Sequence, residues 1–103
     1  MHMNNDHDIH KNSSEKASNW EAKKVLIVED DHLSTKFLNT VLRDTGAQLL
    51  FAKEGLEAVD LVRSNTDIDL ILMDVQLPGM DGNQAALKIR EFNTKVPIIA
   101  QTA

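Results

Sequence analysis

Two short apolar runs set the terms for this chain: Val25-Leu26-Ile27-Val28 and Leu70-Ile71-Leu72-Met73, closed at once by Glu29-Asp30-Asp31 and by Asp74. Four consecutive apolar residues without polar alternation read as a strand covered on both faces, as in parallel sheets. A parallel pair needs a crossover long enough to hold a helix, and the sequence after Asp31 supplies one. Leu33, Phe37 and Val41 fall at i, i+4 and i+8, with Leu38 and Leu42 widening the stripe. An amphipathic helix is expected there, its stripe in the core and its end near Gly46 as the C′ residue.

The same alternation runs to the last residue. A second strand is expected at about 47–52, and Leu56, Val59 and Val62, with Ala58 and Leu61, mark a second helix that runs out in Ser64-Asn65-Thr66. Pro78, Gly79 and Gly82 make 75–82 a loop. Ala85, Ile89 and Phe92 at i, i+4 and i+7 mark a third helix, and Pro97-Ile98-Ile99-Ala100 is the fourth strand. Repeated strand-helix-strand units with right-handed crossovers imply an α/β fold, a doubly wound parallel sheet. Residues 1–22 are of another kind, rich in Asn, Asp, Ser, His and Lys, and too poor in apolar side chains to offset the entropy of ordering. They read as a disordered lead-in without the apolar stretch of a secretory signal, and one domain, 23–103, follows.

Composition then narrows the partners. Eleven Lys and Arg against sixteen Asp and Glu leave a formal net charge of −5, which argues against direct contact with nucleic acid. The chain has no cysteine, which removes disulfides, thiolate metal sites and cysteine nucleophiles. No apolar run approaches the roughly 18–20 residues that cross a bilayer, so no membrane contact and a cytoplasmic location are expected. His2, His7 and His10 stand near Asp6 and Asp8, but no scaffold fixes ligand geometry there, and a solvated tail is the expectation.

Chemistry is expected beyond the carboxyl ends of the strands, where doubly wound sheets bind their ligands. Those ends are Glu29 and Asp30, Asp74, and Thr102. If the first and third strands are neighbours, three carboxylates converge, and without a cation at least one must have a raised pKa. Oxygen donors with no cysteine or nearby histidine suit Mg²⁺ over zinc. A carboxylate so placed can attack phosphorus and become an aspartyl phosphate, with a hydroxyl on the next strand bonding a phosphoryl oxygen. Asp31, Asp44 and Asp81 read instead as loop or cap residues. His32 reads as an ordinary helix-start residue, since imidazole suits Mg²⁺ poorly.

Three segments together, Val25-Leu26-Ile27-Val28-Glu29-Asp30-Asp31, Ile71 to Gly82, and Pro97 to Ala103, resemble the receiver domain of two-component response regulators. The resemblance implies a flavodoxin-like sheet of strand order 2-1-3-4-(5). It implies that Asp74 accepts a phosphoryl group from a phosphohistidine on a sensor histidine kinase or phosphotransfer protein, switching conformation for an effector that the sequence does not identify. Glu29, Asp30, Asp74 and the Gln76 backbone carbonyl would hold Mg²⁺, with Asp30 the direct ligand and Glu29 acting through water. Thr102 would be the switch hydroxyl, and the Val75 and Ala103 N–H groups would donate to phosphoryl oxygens. The domain would be regulatory, assisting its own phosphorylation and dephosphorylation without being a turnover enzyme.

Two departures qualify this expectation. Glu29 stands where many members have Asp. The sequence also stops after the fourth strand, whereas the family continues through a fourth helix, a fifth strand ending in lysine, and a fifth helix. A piece of a longer gene product is therefore expected, with Ile98-Ile99 at an exposed sheet edge open to homodimer formation or self-association. Two alternatives stand beside the main reading. One is a phosphorylation-independent pseudo-receiver, favoured by the missing lysine; the other is an aspartyl-phosphate phosphatase, disfavoured because Gln76 occupies the position of its general acid.

Overall fold

A computed structural model describes residues 20–101. Strands and helices alternate as β1 (Lys24–Val28), α1 (His32–Arg43), β2 (Gln48–Ala52), α2 (Gly55–Ser64), β3 (Leu70–Asp74), α3 (Gly82–Arg90) and β4 (Ile98–Gln101). All neighbouring strands pair in parallel, in the order β2-β1-β3-β4. The step from β1 to β2 runs one way across the sheet and the steps to β3 and β4 run the other. Right-handed crossovers therefore place α1 on one face and both α2 and α3 on the opposite one.

The α2/α3 face holds the core. Leu26, Val28, Ala52, Ile71 and Met73 project from the sheet into one buried cluster with Ala58, Val59 and Val62 of α2 and Ala85 and Ile89 of α3. The central strand β1 is buried on both sides, with Val25, Leu26, Ile27 and Val28 all at 1% exposure or less. That is the behaviour its unbroken apolar run calls for.

Caps fix the helix starts. Asp31 accepts hydrogen bonds from the Ser34 N–H and hydroxyl, both at 2.8 Å, and so begins α1. Asp81 and Gln84 form a reciprocal capping box at α3, the Asp81 carboxylate accepting from Gln84 N–H at 2.8 Å and the Gln84 side chain accepting from Asp81 N–H at 3.0 Å. At α2 the Glu57 carboxylate reaches back to accept from Lys53 N–H at 2.8 Å. Asp44 is the C-cap of α1. The positive φ of 84° falls at Gly46, two residues later, and not at the C′ position expected for it.

The helical stripes need three corrections. Leu33, Phe37 and Val41, expected in the core, are 73%, 65% and 50% exposed, and α1 buries no residue fully. The helix carries two adjacent apolar rows, and the row that includes Leu38 and Leu42 is the half-buried one. Leu56, in the first turn of α2, is likewise exposed. Phe92 lies beyond α3, whose C-cap is Glu91, and sits under the Arg63 guanidinium, 4.8 Å from ring centroid to cation. Residues 20–22, read as the end of the lead-in, form a turn closed by Lys23 N–H donating to the Trp20 carbonyl at 3.0 Å. The expectations for His2, His7 and His10 and for Thr102 and Ala103 concern residues outside those described.

Candidate functional site

The site is a product of strand register. Val28 pairs with Met73, so the next residues along, Glu29 and Asp74, emerge side by side at the carboxyl ends of the two central strands. Glu29 N–H donates to the Ala52 carbonyl at 2.9 Å, which extends the ladder one residue past β1 and fixes where its side chain starts. The Asp30 side chain completes a group of three carboxylates, each offering one oxygen within 4.8 Å of the other two. Glu29 and Asp74 are each only 5% exposed, and Asp30 faces solvent.

Neighbouring acids are drawn elsewhere. Asp31 is occupied as the α1 cap, and its Ser34 hydrogen bonds, side chain first and then backbone, hold its carboxyl below the usual aspartate range. Asp81 is occupied as the α3 cap. His32 is the first residue of α1, as expected of a helix-start residue.

The cluster's electrostatics are unbalanced. Burial pushes the Glu29 carboxyl above its ordinary value; the Asp31 N–H, donating to Glu29 Oε2 at 3.1 Å, opposes this, and the hydrogen bond and charge of Asp74 with the charge of Asp30 push it further up. Among the described residues no basic side chain forms an ion pair with these three carboxylates; the ion pairs there are Lys24–Asp67 and Arg63–Asp60. Convergent carboxylates without a cationic partner form a hard-oxygen donor set of the kind that suits a divalent ion such as Mg²⁺. The residues present therefore fit the metal that the sequence pointed to.

The loop after β3 completes the site. Val75 N–H donates to the Gln101 carbonyl at 3.3 Å, alongside the Asp74–Gln101 pairing of β3 and β4. The amide that reaches the carboxylate is that of Gln76, whose N–H donates to Asp74 Oδ1 at 2.9 Å. A side chain two residues before an amide commonly accepts from it in an Asx-type turn. That local signal was present in the Asp74-Val75-Gln76 sequence, although it does not by itself announce a site.

The family model for the response regulator receiver domain matches residues 25–103. The chain is 41% identical over 83 residues to the polar-differentiation response regulator DivK of Brucella ovis, covering 79% of this chain and 67% of that protein. It is 40% identical over 87 residues to the sensor protein GacS of Pseudomonas syringae pv. syringae, covering 80% of this chain but only 10% of GacS. Among solved structures it is similar to the receiver domain of the histidine kinase CKI1 from Arabidopsis thaliana, complexed with Mg²⁺ and BeF₃⁻. There the TM-score is 0.78 at 28% identity, over 85% of this chain and 70% of that one. The sheet order, the strand-end carboxylates and these matches agree, and the chain belongs to the response regulator receiver domain family.

Proposed function

We propose that this domain is a phosphorylatable switch in which Asp74 accepts a phosphoryl group from the phosphohistidine of a sensor histidine kinase or phosphotransfer protein. The observation that carries the reading is the juxtaposition of Asp74, nearly buried and held by the Gln76 N–H, with Glu29 and Asp30 at the ends of the central strands. An Asp74 carboxylate oxygen forms the new bond to phosphorus while the P–N bond of the phosphohistidine breaks. The departing ring nitrogen keeps the electron pair and, once protonated, leaves a neutral imidazole. The products are an acyl phosphate on Asp74 and free histidine on the donor.

Glu29, Asp30, Asp74 and the Gln76 carbonyl would hold Mg²⁺, which when bound offsets negative charge on the phosphoryl oxygens. The Gln76 N–H orients the acceptor carboxylate. Burial of Asp74 excludes bulk water from the reacting oxygen. Thr102 is assigned the switch hydroxyl, and the Val75 and Ala103 N–H groups are assigned to the phosphoryl oxygens. The phosphoryl group shifts a two-state equilibrium that a downstream partner reads, so the domain acts as a regulator in the cytoplasm and not as a turnover enzyme.

Incubation with acetyl phosphate, followed by intact-mass measurement, tests this reading. One phosphoryl adduct is expected with Mg²⁺, none with chelator and none in Asp74→Ala. An equal adduct in the variant would remove Asp74 from the mechanism.

A further inference from the structure

Three of the glycines sit around the acceptor loop, and they are glycines for different reasons. Gly79 has φ +72°, with nothing within 4 Å of where a Cβ would stand, so its requirement is conformational. Gly82, the first residue of α3, lies outside the positive-φ region, yet a Cβ there would collide with the Asp74 carbonyl oxygen and fall 2.8 Å from Val75 Cα and 3.0 Å from the Asp74 carbonyl carbon. Its requirement is space. Gly55, the first residue of α2, meets the same loop from the other side, and a Cβ there would stand 2.6 Å from the Met80 carbonyl oxygen.

The atoms that crowd Gly82 are backbone, so no rotamer change relieves them. They belong to the short stretch that carries the Asp74 carboxylate and the Gln76 N–H, joined at 2.9 Å. Two further contacts stiffen the arrangement: Gly82 N–H donates to the Val75 carbonyl at 3.2 Å, and the Asp81–Gln84 capping box braces the start of α3. Glu29 and Asp30 hang from β1 and are not touched. A side chain at Gly82 would therefore push the acceptor relative to the two other carboxylates, changing the distances within the cluster.

We propose that Gly82 is a positioning residue for phosphoryl acceptance, and that Gly55 supports it: two side-chain-free helix starts clamp the β3–α3 loop and set where Asp74 and Gln76 stand against Glu29 and Asp30. The inference rests on the reading of Asp74 as the phospho-acceptor. It adds a steric requirement to that site, namely that its geometry is held from the helix side as well as by the strands.

The test compares Gly82→Ala, Gly55→Ala and Gly79→Ala with the wild type. Alanine is the better helix former, so Gly82→Ala is not penalised by propensity. The expected result for Gly82→Ala is a cooperative melt, a Mg²⁺ dissociation constant raised about tenfold, and labelling by acetyl phosphate slowed about 10- to 100-fold even at saturating Mg²⁺. Gly55→Ala is expected to move both in the same direction by about threefold, since it reaches the loop further from Asp74. Gly79→Ala is expected to lower the melting temperature and leave Mg²⁺ affinity and labelling rate as in the wild type. Wild-type values in a folded Gly82→Ala would overturn the proposal, as would equal effects of Gly79→Ala and Gly82→Ala. If Gly82→Ala does not fold, unchanged affinity and rate in Gly55→Ala overturn it.

A wild type that takes no label defeats the acceptor reading instead. The clamp is then read from the backbone amide resonances of Val75 and Gln76 in Gly55→Ala and Gly82→Ala. Shifts there, absent in Gly79→Ala, support it, and unmoved resonances overturn it.

Discussion

The two faces of the sheet are built to different standards. On the α2/α3 face, Leu26, Val28, Ile71 and Met73 meet Val59, Val62, Ala85 and Ile89, all at 2% exposure or less. On the α1 face the helix buries nothing fully, and Leu33, Phe37, Phe51 and Ile99 remain substantially exposed. The carboxylates nonetheless stand at the ends of the two central strands, β1 and β3, and β1 is buried on both sides. The contrast lies in the helices and the outer strands, because β1 itself is closed on both sides, Val25 and Ile27 included.

The largest expected effect follows directly. Ile71→Ala empties part of the closed face and should cost about 2–5 kcal/mol in urea or thermal unfolding; a loss as small as that of an α1 surface change would erase the contrast. Binding at the strand ends ranks next. Mg²⁺ at roughly 100 times its dissociation constant should stabilise the folded protein by about 2.7 kcal/mol, and Asp30→Ala should reduce or abolish that gain. A thermal shift unchanged in the variant would separate the ion from the carboxylates.

A smaller effect is set by pH. Glu29 has its folded-state pKa raised, chiefly by burial and then by Asp74 and Asp30, against the lowering influence of the Asp31 N–H. A raised carboxyl contributes stability that is fully present below its unfolded pKa and is lost as pH rises through the folded value. In chelator, the melting temperature of the wild type should therefore include a decline on going upward from the ordinary glutamate range near 4.5. Glu29→Gln should lack that component, and superimposable pH profiles would contradict the assignment. The smallest effect belongs to the open face: Phe37→Ser should change stability by no more than about 0.5 kcal/mol, and a cost near that of Ile71→Ala would show Phe37 to be buried in solution.

The difference between the faces also explains what could be learned from the sequence. Unbroken apolar runs ended by acids located β1, β3 and the site, because a strand buried on both faces leaves no ambiguity of direction. The amphipathic α1 carried two apolar rows, 33/37/41 and 38/42, and periodicity alone cannot say which row meets the sheet; that is settled by tertiary packing. The Val75 N–H bond to the Gln101 carbonyl is a long-range pairing that no local pattern records. The tight contact at Gly82 was equally hidden, since a glycine required for space and one required for φ look the same in a sequence.

On the proposed function, Asp74, gathered with Glu29 and Asp30 at the strand ends, takes the phosphoryl group. The most direct measurement is to label the protein with acetyl phosphate in Mg²⁺, reduce the acyl phosphate with borohydride, and map the altered residue by peptide mass spectrometry. One reduced residue is expected, at position 74, dependent on Mg²⁺. Reduction at another carboxylate, or at none under conditions where the folded protein binds Mg²⁺, would contradict it.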